Sequence, residues 1–368
     1  MNKVYNILVV NPGSTSTKVA FYKNDECIFD NDVFHDSSIL KTFPTINDQI
    51  DYRMDVIYKY LKENNIDNLD IVVARGGSSA SLESGVYKVN DKMIQDTHDN
   101  KGKLYHSSML GVQMGKRLTD EYNCPLITMD PTVVDEFEDV ARITGVKGVY
   151  RRSILHALNL RANARKYAEE NNLNLDELNL IVAHIDGGIT ITAMKNNRMI
   201  DCNDGGGGDG PFTPTRMGTM AVTDVINNLF HLDKRELKSL ISQTGGLSSH
   251  FGTSNSDTIH EMVDNGDEYA TLVWQAMIYQ VAKTIGSMAT VLHGKVDQII
   301  LTGGLMRFND IKKGIEESCG WIAPITVYPG ELEMKTLARA GYEYLTNKIE
   351  AKEYTGIPVF DPKRFEKK

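Results

Sequence analysis

The strongest constraint on this chain is a pattern that it uses twice. Residues 7–24, ILVVNPGSTSTKVAFYKN, run as an apolar segment, a turn of Gly and hydroxyl residues, and a second segment ending in Lys-Asn. Residues 180–197, LIVAHIDGGITITAMKNN, repeat that order, with Lys195 matching Lys23 about half a chain away. An internal repeat of this kind points to duplicated structural units. After each turn the residues alternate, Lys18, Ala20 and Tyr22 against Val19 and Phe21, then Thr190 and Thr192 against Ile189 and Ile191. Alternation predicts half-buried strands, so each copy reads as a β-hairpin opening a domain.

Between and after the two copies, helical periodicity predicts helices over 54–64, 107–122 (capped by Ser107 or Ser108), 153–171, 268–293 and near 308–318, with a strand at 296–305. Strands alternating with helices imply a mixed α/β sheet. A chain of 368 residues exceeds one hydrophobic core, so two domains are expected.

Forty basic against forty-nine acidic residues give a net charge of −9, which argues against general attraction to nucleic acid or to an anionic membrane. The early apolar run, Ile7 to Val10, is too short for a signal-peptide core or a membrane span, so a cytoplasmic location is expected. Cys27, Cys124, Cys202 and Cys319 have no paired spacing, and they read as reduced packing residues rather than a zinc site or disulfide framework.

Three glycine-rich turns each follow an apolar strand: NPGSTSTK (11–18), HIDGG (184–188) and LTGGL (301–305). Glycine lets backbone N–H groups approach a phosphate, and Ser, Thr and Lys add donors. A single turn of this composition is as well explained by hairpin geometry; the order of all three favours phosphate binding. The TGG at 244–246 lacks a preceding apolar strand and reads as a loop. The GGGGDG run at 205–210 is followed by Pro-Phe-Thr-Pro rather than a helix, and no GxxxxGK[ST] occurs, so dinucleotide and Walker-type sites are not indicated.

This order of turns resembles the actin, sugar kinase and heat-shock ATPase superfamily. Nearly the whole chain is similar to the acetate kinase family, and to its butyrate kinase branch above all. The similarity runs through ILVVNPGSTSTK, VVARGG (72–77), HSSMLGVQMG (106–115), TMDPTVVDEF (128–137), RRSILHALN (151–159), AHIDGGITITAM (183–194), GGGGDGPFTP (205–214), ILTGGLMRF (300–308) and VYPGELEM (327–334). The resemblance implies α/β architecture: two duplicated ribonuclease H-like, actin-like ATPase domains with a nucleotide cleft between them. The first would comprise 1–152 with a C-terminal helix, 331–368, returning to it; the second, 153–330, would carry the adenosine site. It further implies direct, reversible phosphoryl transfer between ATP and butyrate, giving butyryl phosphate and ADP, with Mg²⁺, in a homo-oligomer.

By the same resemblance, Arg75 would hold the carboxylate or the transferring phosphoryl group, and His156 and His184 would donate to that group. Asp130 would organise Mg²⁺ or the attacking carboxylate, unless it merely caps a helix before Pro131. Asn11, Ser14, Ser16 and Lys18 match the first phosphate turn, although Lys18 could be a solvated strand residue. Asp186, Gly187, Gly188, Gly303 and Gly304 match the nucleotide-binding turns. Glu331 matches a magnesium-linked acid, or else an acid at a helix N-terminus. Where acetate kinases carry Gly-Thr-Arg, this chain has Met217-Gly218-Thr219-Met220, leaving Arg216 as the nearest cation; Leu305-Met306-Arg307 replaces a Gly-Glu-Asn. Other acceptors, such as isobutyrate, differ by so little apolar surface that sequence does not separate them. A nucleotide-dependent binding module of the actin or heat-shock type would share the fold.

Overall fold

Both copies of the repeat fold as antiparallel hairpins in the interior of a sheet. The computed structural model describes residues 3–366. The chain divides into two units, Met1–Asp135 with Leu332–Lys368, and Glu136–Glu331. Residues 136–152 thus group with the second unit.

The first unit carries β1 (Asn6–Pro12), β2 (Ser16–Lys23), β3 (Glu26–Phe34), β4 (Ile71–Ala74), β5 (Val86–Lys88), β6 (Leu126–Met129) and β12 (Lys352–Glu353), in the order β12-β5-β6-β4-β1-β2-β3. β1 and β2 pair from Asn6↔Lys23 to Pro12↔Thr17, and β4 runs parallel to β1. The second unit carries β7 (Asn179–Ile185), β8 (Ile189–Lys195), β9 (Arg198–Cys202), β10 (Gln298–Gly303) and β11 (Ile325–Pro329), in the order β11-β10-β7-β8-β9. β7 and β8 pair from Asn179↔Lys195 to Ile185↔Ile189, and β10 runs parallel to β7. The arrangement β4-β1-β2-β3 therefore recurs as β10-β7-β8-β9, which is the structural content of the sequence repeat. The second hairpin does not open its unit, because the helix Ala157–Glu170 precedes it.

The hairpin strands are not half-buried. Ile7 to Val10, Thr17, Val19, Ala20, Thr190, Ile191 and Thr192 are all inaccessible to solvent. Consecutive burial means both sheet faces are covered, as in α/β proteins. The helices Leu110–Tyr122 and Glu333–Leu345 pack on β1 and β4, while Glu268–Val291 packs on β7 and β8. The threonines that created the alternation are accommodated by hydrogen bonds, such as Thr192 Oγ1 to the Asp201 carbonyl at 2.8 Å.

Gly111 allows the close helix approach in the first unit, since a Cβ there would strike the Arg75 carbonyl. The turn before this helix is capped by His106, whose side chain accepts from Ser108 N, and not by either serine. The helix near the C-terminus is shorter than expected: it spans Glu333–Leu345 and is followed by β12. All four cysteines are free thiols. No helix among the described residues is long and apolar enough to cross a membrane.

Candidate active site

In the first unit, β1 delivers Asn11 and β4 delivers Arg75, whose backbone N–H donates to the Val10 carbonyl at 2.8 Å. Both side chains are buried, Asn11 at 6% and Arg75 at 4% exposure. They meet on a residue the sequence reading passed over. Glu333 Oε2 accepts from Asn11 Nδ2 at 2.8 Å, and its Oε1 takes the Arg75 guanidinium in a buried ion pair. Arg75 Nε is buried with no hydrogen-bond partner among the described residues, so part of the guanidinium retains donor capacity.

The turn after β1 is closed by Gly13 N donating to the Ser16 carbonyl at 2.8 Å. Ser14 is exposed and its Oγ lies 3.0 Å from His106 Nε2. Ser16 is buried on β2, and Lys18, half-buried on the same strand, stands 4.0 Å from Asp32 Oδ2. Beneath the turn lies Arg53, with no solvent exposure. Its Nη1 donates to the Ser16 carbonyl at 2.7 Å and to Thr17 Oγ1 at 3.1 Å, its Nη2 reaches the Ser14 carbonyl at 3.4 Å, and Gln49 Oε1 takes the remaining donors. These acceptors are neutral, and burial pushes the Arg53 pKa down to about 10.

Asp130 follows β6 with φ +40, a left-handed conformation uncommon for a non-glycine residue, and its Oδ1 accepts from Gly85 N at 2.7 Å. No helix begins at Pro131, so the helix-cap alternative is removed; the next helix is Asp139–Arg142.

In the second unit, Asp186 ties the hairpin turn to the end of β10. Its Oδ1 accepts from Gly187 N and its Oδ2 from Gly304 N, each at 2.8 Å. Gly303 has φ +106, and a Cβ there would collide with the Ile185 carbonyl, so β10 reaches β7 only through glycine. Gly303 and Gly330 exchange backbone hydrogen bonds at 3.0 and 3.1 Å. This pairing brings Glu331 up to the turn: one ligand atom each from His184, Asp186 and Glu331 lie within 4.8 Å of one another. Glu331 itself is exposed and precedes the helix, whose first-turn acid is Glu333.

His184 sits on β7 at 1% exposure, and its ring stacks on His156 with centroids 4.1 Å apart. His156 Nδ1 lies 2.8 Å from Thr190 Oγ1, and His184 Nδ1 lies 2.9 Å from Asn159 Nδ2. The segment after the glycine run folds over the turn. Thr213 and Thr215 hydroxyls donate to the Gly187 carbonyl at 2.7 and 3.1 Å, and the Arg216 guanidinium covers Gly188 while donating to the Gly205 carbonyl. Burial pushes the Arg216 pKa down to about 10, opposed by the Asp204 charge. The 205–210 glycines form turns without a following helix.

Two signals could have found the missed residues. Glu333, Leu337 and Gly341 share one buried helical face, which selects Glu333 over Glu331 as the inward acid. Arg53 sits on the buried face of Ile50, Met54, Ile57 and Leu61, one residue before the helix start expected from sequence.

The model of the acetokinase family matches residues 145–312. The protein described as "Probable butyrate kinase 2" from Caldanaerobacter subterraneus subsp. tengcongensis is 44% identical over 338 residues, covering 91% of this chain and 95% of that protein. The chain belongs to the acetokinase family. Among solved structures, the acetate kinase of Porphyromonas gingivalis matches at 18% identity with a TM-score of 0.73, covering 94% of this chain and 100% of its own. A propionate kinase from Francisella tularensis subsp. tularensis matches at 17% identity and a TM-score of 0.73, with coverages of 91% and 98%. These likenesses show that the chain has the α/β actin-like ATPase fold that the family resemblance implied.

Proposed function

We propose that the chain transfers a phosphoryl group reversibly between ATP and a short-chain carboxylate, with butyrate as the favoured acceptor, giving butyryl phosphate and ADP. The observation that carries this reading is the 44% identity to "Probable butyrate kinase 2" across 95% of that protein.

Phosphoryl transfer calls for positioned cations and N–H donors around the equatorial oxygens more than for covalent chemistry. In the first unit, Arg75 would hold the carboxylate or acyl phosphate, with Glu333 and Asn11 fixing its guanidinium; the spare donor capacity at Nε suits an anion. Asn11, Ser14, Ser16 and Lys18 would serve the first phosphate turn, and Asp130 would orient the acceptor. In the second unit, the backbone at Gly187 is open, since a Cβ there would meet nothing within 4 Å, and a phosphate can approach this turn closely. Gly188, Gly303 and Gly304 would line the nucleotide side, Arg216 would take the place of the missing Gly-Thr-Arg cation, and His156 and His184 would donate to the transferring group. The carboxylates of Asp186 and Glu331 fit Mg²⁺, a hard cation that keeps several waters and would offset phosphate charge when bound.

The test is ATP consumption and hydroxylamine-trapped acyl phosphate with acetate, propionate, butyrate and isobutyrate as acceptors. The expected result is turnover that depends on added carboxylate and is fastest with butyrate. ATP hydrolysis indifferent to carboxylate would overturn the reading, and a competent phosphohistidine at His184 would overturn direct transfer.

A further inference from the structure

A histidine can donate to an anion or ligate a cation from the same nitrogen, and the proton on the other nitrogen decides which. For His184 that other nitrogen, Nδ1, faces the Asn159 side-chain amide at 2.9 Å. An amide turned one way donates and turned the other way accepts, so its orientation is assigned from its neighbours.

Two backbone carbonyls settle that orientation. Asn163 Nδ2 lies 2.8 Å from the Asn159 carbonyl and 3.0 Å from Asn159 Oδ1. A carbonyl only accepts, so Asn163 presents its NH₂ there, and Asn159 must meet it with oxygen. On the other side, Thr302 Oγ1 lies 2.9 Å from the Gly330 carbonyl and spends its proton on it. Its lone pairs are then left for Asn159 Nδ2 at 3.4 Å. Asn159, Asn163 and Thr302 have no solvent exposure, so bulk water does not relieve a reversed amide. Turning Asn159 over would set NH₂ against NH₂ and oxygen against a neighbour that has no proton to give.

We infer that Asn159 is a positioning residue that orients His184 with Nδ1 as the acceptor and Nε2 as the N–H, making Nε2 a donor to an anionic oxygen and not a metal ligand. Ligation at Nε2 would need the proton on Nδ1, directly against the Asn159 NH₂. Of the three side chains gathered at the turn, the cation therefore falls to Asp186 and Glu331, and His184 is reserved for phosphoryl oxygens. The catalytic consequence rests on the kinase reading; the tautomer does not.

The experiment uses the full chain labelled with ¹⁵N-histidine, with His184 assigned by comparison with H184Q in long-range ¹H–¹⁵N correlation spectra near pH 8. The wild-type protein is expected to show an unprotonated Nδ1 and a protonated Nε2, unchanged by Mg²⁺. In Asn159→Asp the carboxylate draws a proton to Nδ1, the pattern changes, and carboxylate-dependent kcat falls at least about 100-fold while KM values move less than about threefold. A protonated Nδ1 in the wild type, a metal-induced loss of the Nε2 proton, or an unchanged pattern in Asn159→Asp would overturn the inference. The wild-type spectrum decides even if the variant does not fold. Lack of carboxylate-dependent turnover in the wild type would count against the kinase reading alone.

Discussion

Asn11 Nδ2 stands 2.8 Å from Glu333 Oε2, joining residues 322 positions apart, while the other oxygen of the same carboxylate holds Arg75. One buried acid thus orders the end of β1 and the residue after β4. Glu333→Ala leaves a buried guanidinium uncompensated, and stability is expected to fall by about 3–5 kcal/mol. Replacing both partners, Arg75→Met with Glu333→Leu, should recover most of that stability while abolishing turnover. Urea unfolding and kcat with butyrate measure the two effects; an Ala variant as stable as the wild type would show that the pair does not order this unit.

Arg53 organises the first turn from beneath, fixing the Ser14 and Ser16 carbonyls inward. Arg53→Met is expected to lower stability by about 1–3 kcal/mol through unsatisfied buried carbonyls and to raise KM for ATP. Arg53→Lys should restore little, because an ammonium does not fork across acceptors on a turn, a strand and a helical segment. Recovery of wild-type KM by Lys would show that charge alone matters there.

The duplicated hairpins were legible in the sequence because strand, turn and strand are local, and their spacing survives in the register ending at Lys23 and Lys195. Alternation misled on burial: Thr190 and Thr192 look solvent-facing, yet hydrogen bonds let them lie under packed helices. Glu333 was hidden because its partners, Asn11 and Arg75, come from distant strands, and Glu331 two residues earlier carries the same side chain. Asn159 gave no signal at all, since its importance lies in the direction of an amide.

Gly188 and Gly303 separate the site from the fold. A Cβ at Gly188 meets the far end of the Arg216 side chain, which can swing away, whereas one at Gly303 meets the Ile185 backbone at φ +106. Gly188→Ala should therefore change stability by less than about 1 kcal/mol yet lower kcat by displacing Arg216, while Gly303→Ala should cost about 1–3 kcal/mol or more from the backbone conformation and collision. Thermal unfolding beside steady-state kinetics distinguishes them; full activity in Gly188→Ala would remove Arg216 from the chemistry.

His35 gives the first unit a defined response to acid. Its Nε2 lies 2.7 Å from Thr17 Oγ1, and burial, assisted by the Arg53 charge and opposed by Asp32, lowers its pKa from the ordinary 6.5. The unfolded chain then binds the proton more readily than the folded one. Stability from this group is present above about pH 6.5 and is lost as pH falls below it, with a slope of at most about 1.4 kcal/mol per pH unit. His35→Gln cannot titrate but can still hydrogen-bond Thr17, so its unfolding free energy should decline less between pH 7.5 and 5.5. Since the carboxylates titrate alike in both proteins, the difference between the two urea-derived curves isolates His35; parallel curves would mean that its proton is held equally well in the folded state.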